Sequence, residues 1–260
     1  MTRQKLSAVV LTHNEEKNIG ACLDTVKWAD EIIVVDDHST DRTAGIVKKY
    51  GATFITNHLE GDFSKQRNLG NDRAAGDWIL QMDADERVTE GMRRKIIEIL
   101  EKGTHFSAFR FTRINNFCGK FLGYGGDVSH KPLRLFRKGK ACFSGDKIHE
   151  KLEVDGQIGE LDAVIEHYNF PNVSHYIETQ NFYTDIEAKA LFEKEGVISE
   201  RRLKHELTWG PVKLFFKIYM KKNGYRDGIH GLVFAILSAW RRFLIYAKYW
   251  ELVKASKGKA

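Results

Sequence analysis

Cysteine is scarce in this chain of 260 residues. Cys22, Cys118 and Cys142 are odd in number, and no two of them stand in a C-x-x-C spacing. This pattern argues against a disulfide framework and a structural zinc site, and it is typical of a protein in a reducing cytosol. The first sixteen residues contain no apolar segment followed by a small-residue cleavage site. We therefore expect a cytoplasmic protein without a secretory signal.

Proline is equally scarce, and long hydrophobic runs are absent. The chain has three prolines, and no repeat or low-complexity segment stands out. A hydrophobic fraction of 42% and an aromatic fraction of 12% exclude global disorder. The longest uncharged run in the last sixty residues is the 13-residue segment 228–240, which is too short to cross a bilayer. A core helix or an interfacial helix fits that segment better.

Negative charge is lacking near the carboxyl end. Residues 201–260 carry 14 Lys and Arg against 3 Asp and Glu, a balance of +11, whereas the first 200 residues carry 27 against 32, a balance of -5. Such a basic segment binds nucleic acid, anionic lipid or an acidic partner, and its many aromatic residues favour lipid. We expect amphipathic helices at the inner face of the cytoplasmic membrane, with no nucleic acid as partner. The alternative is a solvated face of helices that cover the main domain.

A strand followed by a helix is predicted four times before Gly103. The runs LSAVVLT, EIIVVDD, ATFIT and DWILQMD are short, apolar and β-branched, and helical periodicity follows each of them. Ser39 or Thr40 is the expected cap of the second helix. Repeated units of this kind imply a parallel sheet with helices on both faces. After Gly103 the alternation stops, and SAFRFTRI, LRLFRK and glycine-rich loops predict a mixed half, followed by helices from Ser174 onward.

Polar side chains stand where three of these strands end. They are Thr12, His13 and Asn14 after the first strand, Asp36 and Asp37 after the second, and Asp83 and Asp85 after the fourth. Ligands of open parallel sheets bind at the carboxyl ends of the strands, so the three clusters are expected to share one rim. Acids that merely cap the next helix are the alternative for any one cluster.

The segment MDADE, residues 82–86, places three carboxylates side by side and therefore calls for a positive charge among them. Two acids one residue apart can hold Mg2+ or Mn2+ while substrate phosphates complete the coordination shell. Such a metal makes a diphosphate a better leaving group. Asp83 and Asp85 carry this prediction, whereas Glu86 is expected to orient them or to cap the following turn.

Several segments together resemble one known family. VVLTHNEEKNIGACLDTV, EIIVVDDHSTDRTAGIVKKYGA and DFSKQRNLGNDRAAGDWILQMDADE are similar, in this order, to the nucleotide-diphospho-sugar domain of the family 2 inverting glycosyltransferases. KPLRLFRKG, IHEKL, EHYNF and the segment from KNGYRDG onward resemble the branch that contains bacterial lipopolysaccharide-core glucosyltransferases.

The resemblance implies a GT-A fold, an α/β architecture with a mostly parallel central sheet flanked by helices. Residues 1–200 would form the catalytic domain, with a nucleotide-binding half at 1–103 and an acceptor-side mixed half at 104–172. Residues 201–260 would be a basic helical extension.

The resemblance also implies roles for individual residues. Asp37 would bond the uracil, and Asp85 would be the main ligand of Mn2+ or Mg2+. The nucleotide-binding set would be Thr12, Asn14, Glu15, Asp36, Asp37, Arg67, Asn68 and Asp83, and the metal set Asp83, Asp85 and His167. The donor would be a UDP-sugar, and a hexose such as glucose would pass to a hydroxyl of lipopolysaccharide core or another lipid-linked glycan.

An inverting transfer needs a base within reach of the acceptor hydroxyl. Glu150 in GDKIHEKL is the expected base, and Asp127 in GYGGDV is its competitor. A plain surface glutamate is the alternative for Glu150, and a structural histidine is the alternative for His167. Arg134 and Arg137 are expected either to contact phosphates or to be exposed strand residues.

Two rival functions fit the sequence less well. A sugar-nucleotide nucleotidyltransferase opens with a glycine-rich loop after its first strand, but here that position reads LTHNEEKN and no glycine occurs before Gly20. A non-catalytic membrane-surface binding protein would have no need for acids at three strand ends.

Overall fold

The computed structural model describes residues 3–59, 62–125, 131–144 and 151–257. The chain divides into two compact units, one formed by residues 1–113 and 129–167 and the other by residues 114–128 and 168–260. In this division, residues 168–200 and 114–128 belong with the carboxyl-terminal helices. The predicted boundary at residue 200 remains a prediction.

The strands and helices alternate at first and then separate. The strands are β1 Leu6–Thr12, β2 Glu31–Asp36, β3 Thr53–Thr56, β4 Trp78–Asp83, β5 Glu86–Val88, β6 Ala108–Phe117, β7 Lys120–Phe121, β8 Leu133–Arg137, β9 Ala141–Ser144, β10 Lys151–Val154 and β11 Ile158–Phe170. The α-helices are α1 Ile19–Val26, α2 Thr43–Lys48, α3 Phe63–Arg73, α4 Glu90–Lys102, α5 Val173–Glu195, α6 Glu200–Phe216 and α7 Ile229–Lys257.

The main sheet has the order β3-β2-β1-β4-β8-β6-β11-β5. β1 pairs in parallel with β2 and β4, and β2 pairs in parallel with β3. β8 is antiparallel to both β4 and β6, and β5 is antiparallel to β11. The four predicted strand-helix units and the mixed second half are thus confirmed, and the fold is the α/β class that was expected.

The strand register brings the polar strand ends together. Thr12 lies opposite Asp36, and Leu11, one residue earlier in β1, lies opposite Asp83. The carboxyl ends of β1, β2 and β4 therefore form one edge, which we call the rim. This arrangement confirms that the three polar clusters share one rim of the sheet.

The two faces of the parallel strands are packed differently. Leu6, Ala8 and Val10 of β1 belong to a core under α1 and α4, whereas Val9 points to the opposite face, which α3 covers. α3 approaches this face very closely at Gly70, where a Cβ atom would lie 2.4 Å from Cγ1 of Val9. This close packing fixes the height of α3 above the sheet, and with it the position of the side chains that α3 sends to the rim.

The helix starts follow local capping chemistry, with one correction. Asp62 caps α3 by accepting a hydrogen bond from Lys65 N, and Thr89 caps α4 by accepting from Met92 N. The prediction that Ser39 or Thr40 caps α2 was wrong. α2 begins at Thr43, whose N–H donates to Asp41 Oδ1 at 2.9 Å. Ser39 lies in the loop before α2 and donates hydrogen bonds to the Asp36 carboxylate.

The second unit is built mainly from helices. α6 continues into a π-helical turn at Lys217–Lys221, and a short 3-10 helix, Gly224–Asp227, leads to α7. α7 packs on α5 and α6, and Tyr249 is fully buried there, where its hydroxyl donates to Gly196 O at 2.5 Å. Asp227 is also buried, and its carboxylate accepts the backbone N–H groups of Gly123 and Tyr124 at 3.1 and 2.8 Å.

Candidate functional site

Asp83 lies at the end of β4 between two arginines. Its Oδ1 accepts a hydrogen bond from Arg67 of α3 at 2.9 Å, and its Oδ2 accepts one from Arg134 of β8, also at 2.9 Å. Burial would raise the pKa of Asp83, but the charges and hydrogen bonds of Arg134 and Arg67 outweigh it and hold that pKa well below its usual range. Asp83 is therefore a carboxylate at neutral pH. Its predicted part in metal and ribose binding remains a prediction.

Glu86 is buried beneath the turn that follows β4. Its Oε2 accepts a hydrogen bond from Asp83 N at 3.0 Å, and its carboxylate lies 3.7 Å from a guanidinium nitrogen of Arg113 and 3.8 Å from one of Arg134. Burial and the negative charge of Asp83 raise the pKa of Glu86, although Arg134 opposes this. Glu86 therefore holds the backbone of Asp83 at the start of this turn. That it orients the two aspartates or caps the following turn remains a prediction.

The positive charge beside Asp83 and Glu86 comes from the chain itself. Arg67, Arg113 and Arg134 converge on these two carboxylates from α3, β6 and β8. The hypothesis of a divalent cation did not consider these arginines as the source of the positive charge. Arg113 lies 27 positions after Glu86, Arg134 lies 51 positions after Asp83, and Arg67 precedes both acids on α3. A guanidinium is suited to such a place because it stays charged and bonds two oxygens in one plane.

Asp85 takes a different partner. His167 Nε2 lies 3.1 Å from Asp85 Oδ2, and both side chains are largely shielded from solvent. The pairing of β5 with β11 sets this distance, because His167 lies directly opposite Glu86 in the antiparallel register. The late strand β11 thus brings a histidine to the rim, next to Asp85. We call the segment Asp83-Ala84-Asp85 the D-x-D turn.

The Asp85–His167 pair fits a divalent metal in its donor chemistry. A carboxylate oxygen and an imidazole nitrogen are ordinary ligands of Mn2+ and related ions. Among the residues that the structure describes, no cluster of three or more His, Cys, Asp and Glu side chains is placed to hold a metal. An ion here would need its further ligands from phosphate oxygens and water, as is usual for metals bound with a nucleotide.

The loops after β1 and β2 are tied to each other. Asn14 has a positive φ of 52°, and its backbone N–H donates to Ser39 Oγ at 2.7 Å. Its side-chain oxygen accepts from Thr40 N at 2.8 Å. Asn14 therefore holds the two loops in one arrangement, a structural task beside its predicted contact with the nucleotide.

Asp36 and Asp37 differ in what remains available to a ligand. Asp36 is buried, and its two oxygens accept from the backbone N–H and hydroxyl of Ser39 at 2.8 and 2.5 Å. Asp36 therefore shapes the loop, and its predicted nucleotide contact remains a prediction. Asp37 is partly exposed, and its Oδ1 accepts from Leu59 N at 2.9 Å. Oδ2 lies 3.8 Å from His13 Nδ1, at the outer side of the rim.

Thr12 and Glu15 complete this part of the rim. The Thr12 Oγ1 atom is buried and has no hydrogen-bond partner within the described residues, an uncommon state that a ligand or water would relieve. Glu15 Oε2 accepts from Asn18 at 2.7 Å. Burial raises the pKa of Glu15, and the charge of Asp85 raises it further against the effect of Asn18. Glu15 is therefore close enough to the D-x-D turn for the charge of Asp85 to affect its pKa.

Two residues predicted near the ligand serve the fold. The Asn68 amide donates to Phe143 O at 2.8 Å and accepts from Phe143 N at 2.9 Å, so it clamps β9 to α3. Its predicted role near base and ribose remains a prediction. Arg137 lies opposite Trp78 at the far end of β4, where it donates to Thr104 O and Phe106 O. The phosphate contact suggested for Arg137 is therefore wrong.

Sequence reasoning missed two arginines. Arg113 is the partner of Glu86 described above. Arg87, two positions after Asp85, is buried and donates to Ala84 O and Glu86 O at 3.0 and 2.8 Å, and to Asn18 O at 2.9 Å. A charged residue inside the buried run β5 was the available signal for Arg87, whereas Arg113 gave none. The expected bases Glu150 and Asp127 lie outside the described residues, as does His149.

Comparison with known proteins identifies the family of this chain. Residues 7–144, more than half of the chain, match the family described as glycosyl transferase family 2. The chain therefore belongs to this family, and the protein is a glycosyltransferase of the GT-A type.

Relatives extend over nearly the whole chain. An uncharacterized glycosyltransferase of Rickettsia prowazekii (strain Madrid E) is 30% identical, covering 96% of this chain and 88% of its own. The lipopolysaccharide core biosynthesis glycosyltransferase LpsC of Rhizobium meliloti (strain 1021) is 26% identical, covering 95% of this chain and 92% of its own. Among solved structures, glucosyl-3-phosphoglycerate synthase from Mycobacterium tuberculosis, in complex with Mn2+, UDP and phosphoglyceric acid, has a TM-score of 0.49 at 16% identity. That match covers 76% of this chain and 80% of the other.

Proposed function

We propose that this glycosyltransferase moves a hexose such as glucose from a UDP-sugar to a hydroxyl of a lipid-linked cell-envelope glycan, with lipopolysaccharide core as the foremost candidate. The similarity to LpsC along nearly the whole chain supports the acceptor class. The observation that carries the proposal is the rim, where Asp83 lies between Arg67 and Arg134 beside the Asp85–His167 pair.

The nucleotide would occupy the ends of β1 and β2. Asp37 keeps one oxygen at the outer side of the rim and would accept the N–H of the uracil. The buried Thr12 Oγ1, which has no partner within the described residues, would receive a hydrogen bond from the nucleotide or donate one to it. Asn14 fixes both loops before the donor arrives, which reduces the entropy lost on binding.

The diphosphate would lie at the D-x-D turn. Asp85 and His167 would hold a divalent ion, Mn2+ or Mg2+, which when bound neutralises the leaving diphosphate. Arg134 is mostly buried and would add a fixed positive charge for the same oxygens. Arg67 would restrain Asp83, which keeps the D-x-D turn in one orientation.

The acceptor hydroxyl needs a base on the face opposite the leaving nucleotide. We assign this role to Glu150, with Asp127 as its competitor. The base takes the hydroxyl proton as the hydroxyl oxygen bonds to the anomeric carbon, while the bond from that carbon to the diphosphate oxygen breaks and UDP leaves. Glu150→Gln should retain donor binding and lose most transfer, whereas normal turnover of that variant together with loss in Asp127→Asn would assign the base to Asp127.

A release assay across a panel of nucleotide sugars tests the function. The protein is incubated with UDP-, GDP-, ADP- and CMP-sugars, each with Mn2+, with Mg2+ and with chelator, and the freed nucleotide is measured. Release from UDP-hexoses that depends on a divalent ion supports the proposal. Release from another nucleotide class alone would refute the donor assignment.

The acceptor class also suggests a place in the cell. We propose that the protein is peripheral to the inner face of the cytoplasmic membrane and that the basic segment 201–260 holds it there. The balance of +11 in this segment supports attraction to anionic lipid.

A further inference from the structure

α7 is the obvious membrane candidate in the second unit. Its segment Ile229–Ser256 is long and apolar enough to cross a membrane, judged by length and composition alone. The helix nevertheless forms ion pairs with its neighbours in the unit. Arg241 pairs with Glu187 of α5, Arg242 pairs with Glu206 of α6 at 2.6 Å, and Lys248 pairs with Asp185 of α5 at 2.9 Å. Ion pairs around the middle of a helix are costly in hydrocarbon, so α7 is poorly suited to a bilayer.

The helix formed by α6 and its π-helical continuation presents a different surface. One side packs inward, where Gly210 lies against Arg242 and Ile218 is 8% exposed. Residues two positions away lie about 200° around a helix, on the opposite side. That opposite side carries Val212, Phe216 and Met220, and Trp209 extends it because it lies three and seven residues before Val212 and Phe216. Trp209, Val212, Phe216 and Met220 are 62%, 41%, 56% and 54% exposed. We call these four residues the apolar ridge.

A row of lysines flanks the apolar ridge. Lys213, Lys217 and Lys221 follow one another at intervals of four residues, and all three are exposed. From residue 207 to residue 226 the sequence contains five Lys and Arg and no Asp or Glu. On the other flank, Phe215 stacks on Tyr219 with ring centroids 5.4 Å apart, which widens the apolar side.

This combination matches an interfacial helix. Such a helix lies in the membrane plane, with Trp and Phe among the acyl chains and lysines reaching to the lipid phosphates. A protein partner would also cover exposed aromatic residues, but the unbroken positive flank is complementary to a negatively charged lipid surface. We infer that the apolar ridge and its lysine row are the surface by which this protein docks on anionic lipid. The inference rests on the proposed membrane association and names the surface responsible for it.

Vesicle co-sedimentation of full-length variants tests the inference. In the ridge variant, Trp209, Phe216 and Met220 are changed to Ser. In the matched control, the exposed α7 residues Trp250, Phe243 and Ile236, which are 44%, 42% and 51% exposed, are changed to Ser. On vesicles of phosphatidylglycerol and phosphatidylcholine, the ridge variant should partition at least about tenfold more weakly than the wild type. The control should bind like the wild type.

The lysine row has its own variant. Changing Lys213, Lys217 and Lys221 to Gln should weaken partitioning about a hundredfold, because each lysine near an anionic surface contributes roughly fivefold. Added salt should weaken the vesicle binding of the wild type strongly and the vesicle binding of this variant only slightly. Equal binding of the lysine variant and the wild type would overturn the inference.

Further readouts separate the possible failures. Circular dichroism and UDP-sugar hydrolysis without lipid should be unchanged in the ridge variant, which shows that it folds and that its donor site is intact. Loss of binding only in the α7 control would place docking on α7 and overturn the inference. A ridge variant that binds normally but changes its sedimentation coefficient would make the ridge a contact between copies. Vesicle binding by a wild type that releases no nucleotide would leave the docking surface standing and refute the proposed function.

Discussion

Removal of Arg134 should destabilise the first unit in a pH-dependent way. Arg134 bonds Asp83 at 2.9 Å and lies 3.8 Å from the buried Glu86 carboxylate. The variant Arg134→Met keeps the apolar part of the side chain and deletes the charge. Removing one partner of a buried ion pair lowers the free energy of unfolding by about 3–5 kcal/mol. Because the Asp83 side chain is 28% exposed, solvent compensates in part, and we expect a loss of about 3 kcal/mol at pH 7.

The direction of the pH dependence follows from the two carboxylates. Asp83 has a lowered pKa, so its contribution to stability is present above the pKa of the unfolded chain and is lost as the pH falls through the folded value. Glu86 has a raised pKa, so its charged form destabilises the folded state as the pH rises. Without Arg134 the pKa values of both acids rise. The loss should therefore be largest near pH 7 and should shrink towards pH 5.

Thermal unfolding followed by circular dichroism measures this effect. A loss of about 3 kcal/mol should lower Tm by roughly 6–12 °C in a chain of this size. Arg93→Met, which breaks an exposed helical ion pair with Glu90, is the control and should cost less than about 1 kcal/mol. Adding Glu86→Gln should restore part of the stability of Arg134→Met. A Tm at pH 7 equal to that of the wild type, or a loss that grows on acidification, would refute the electrostatic account.

Two further predictions concern packing that fixes α3 and the loop after β7. Gly70→Ala should lower the free energy of unfolding by about 2 kcal/mol, because the added methyl group would lie 2.4 Å from Val9. Gly45→Ala, at a helix position where the added methyl group has no neighbouring atom within 4 Å, is the control and should be neutral or stabilising. The Tm values of the two variants provide the test. Asp227→Ala should lower the free energy of unfolding by about 3 kcal/mol, because two backbone N–H groups lose the carboxylate that accepts their hydrogen bonds. Asp227→Asn should lower it by about half as much. Urea unfolding measures both, and an unchanged transition midpoint in both variants would contradict this prediction.

Much of the first unit could be predicted from local sequence patterns. Short β-branched runs followed by helical periodicity identified β1 to β4, and the rule for parallel sheets placed their ends on one rim. The resemblance to a family identified His167, which lies 3.1 Å from Asp85 in the structure. The strand and helix predictions succeeded because strand type and strand-helix order depend on nearby residues, whereas the part of His167 in metal binding remains a prediction.

The electrostatics of the rim could not be read in the same way. Which cation faces Asp83 depends on the antiparallel register of β8 against β4, and such long-range pairing leaves no periodic signal in either segment. Likewise, the sequence cannot distinguish Asp36, which bonds the loop, from Asp37, which faces the rim, because the two are adjacent and chemically identical. The alternation of side chains along β2 and the following turn separates their roles.

The central claim is that the rim binds a UDP-sugar together with a divalent ion held by Asp85 and His167. Titration calorimetry of UDP, with and without Mn2+, tests it most directly on the wild type, on Asp85→Asn and on Asp162→Asn, an exposed control in the same unit. Mn2+ should strengthen UDP binding by about tenfold or more in the wild type and in the control, and by less than about twofold in Asp85→Asn. An equal gain from Mn2+ in Asp85→Asn and the wild type would contradict the account.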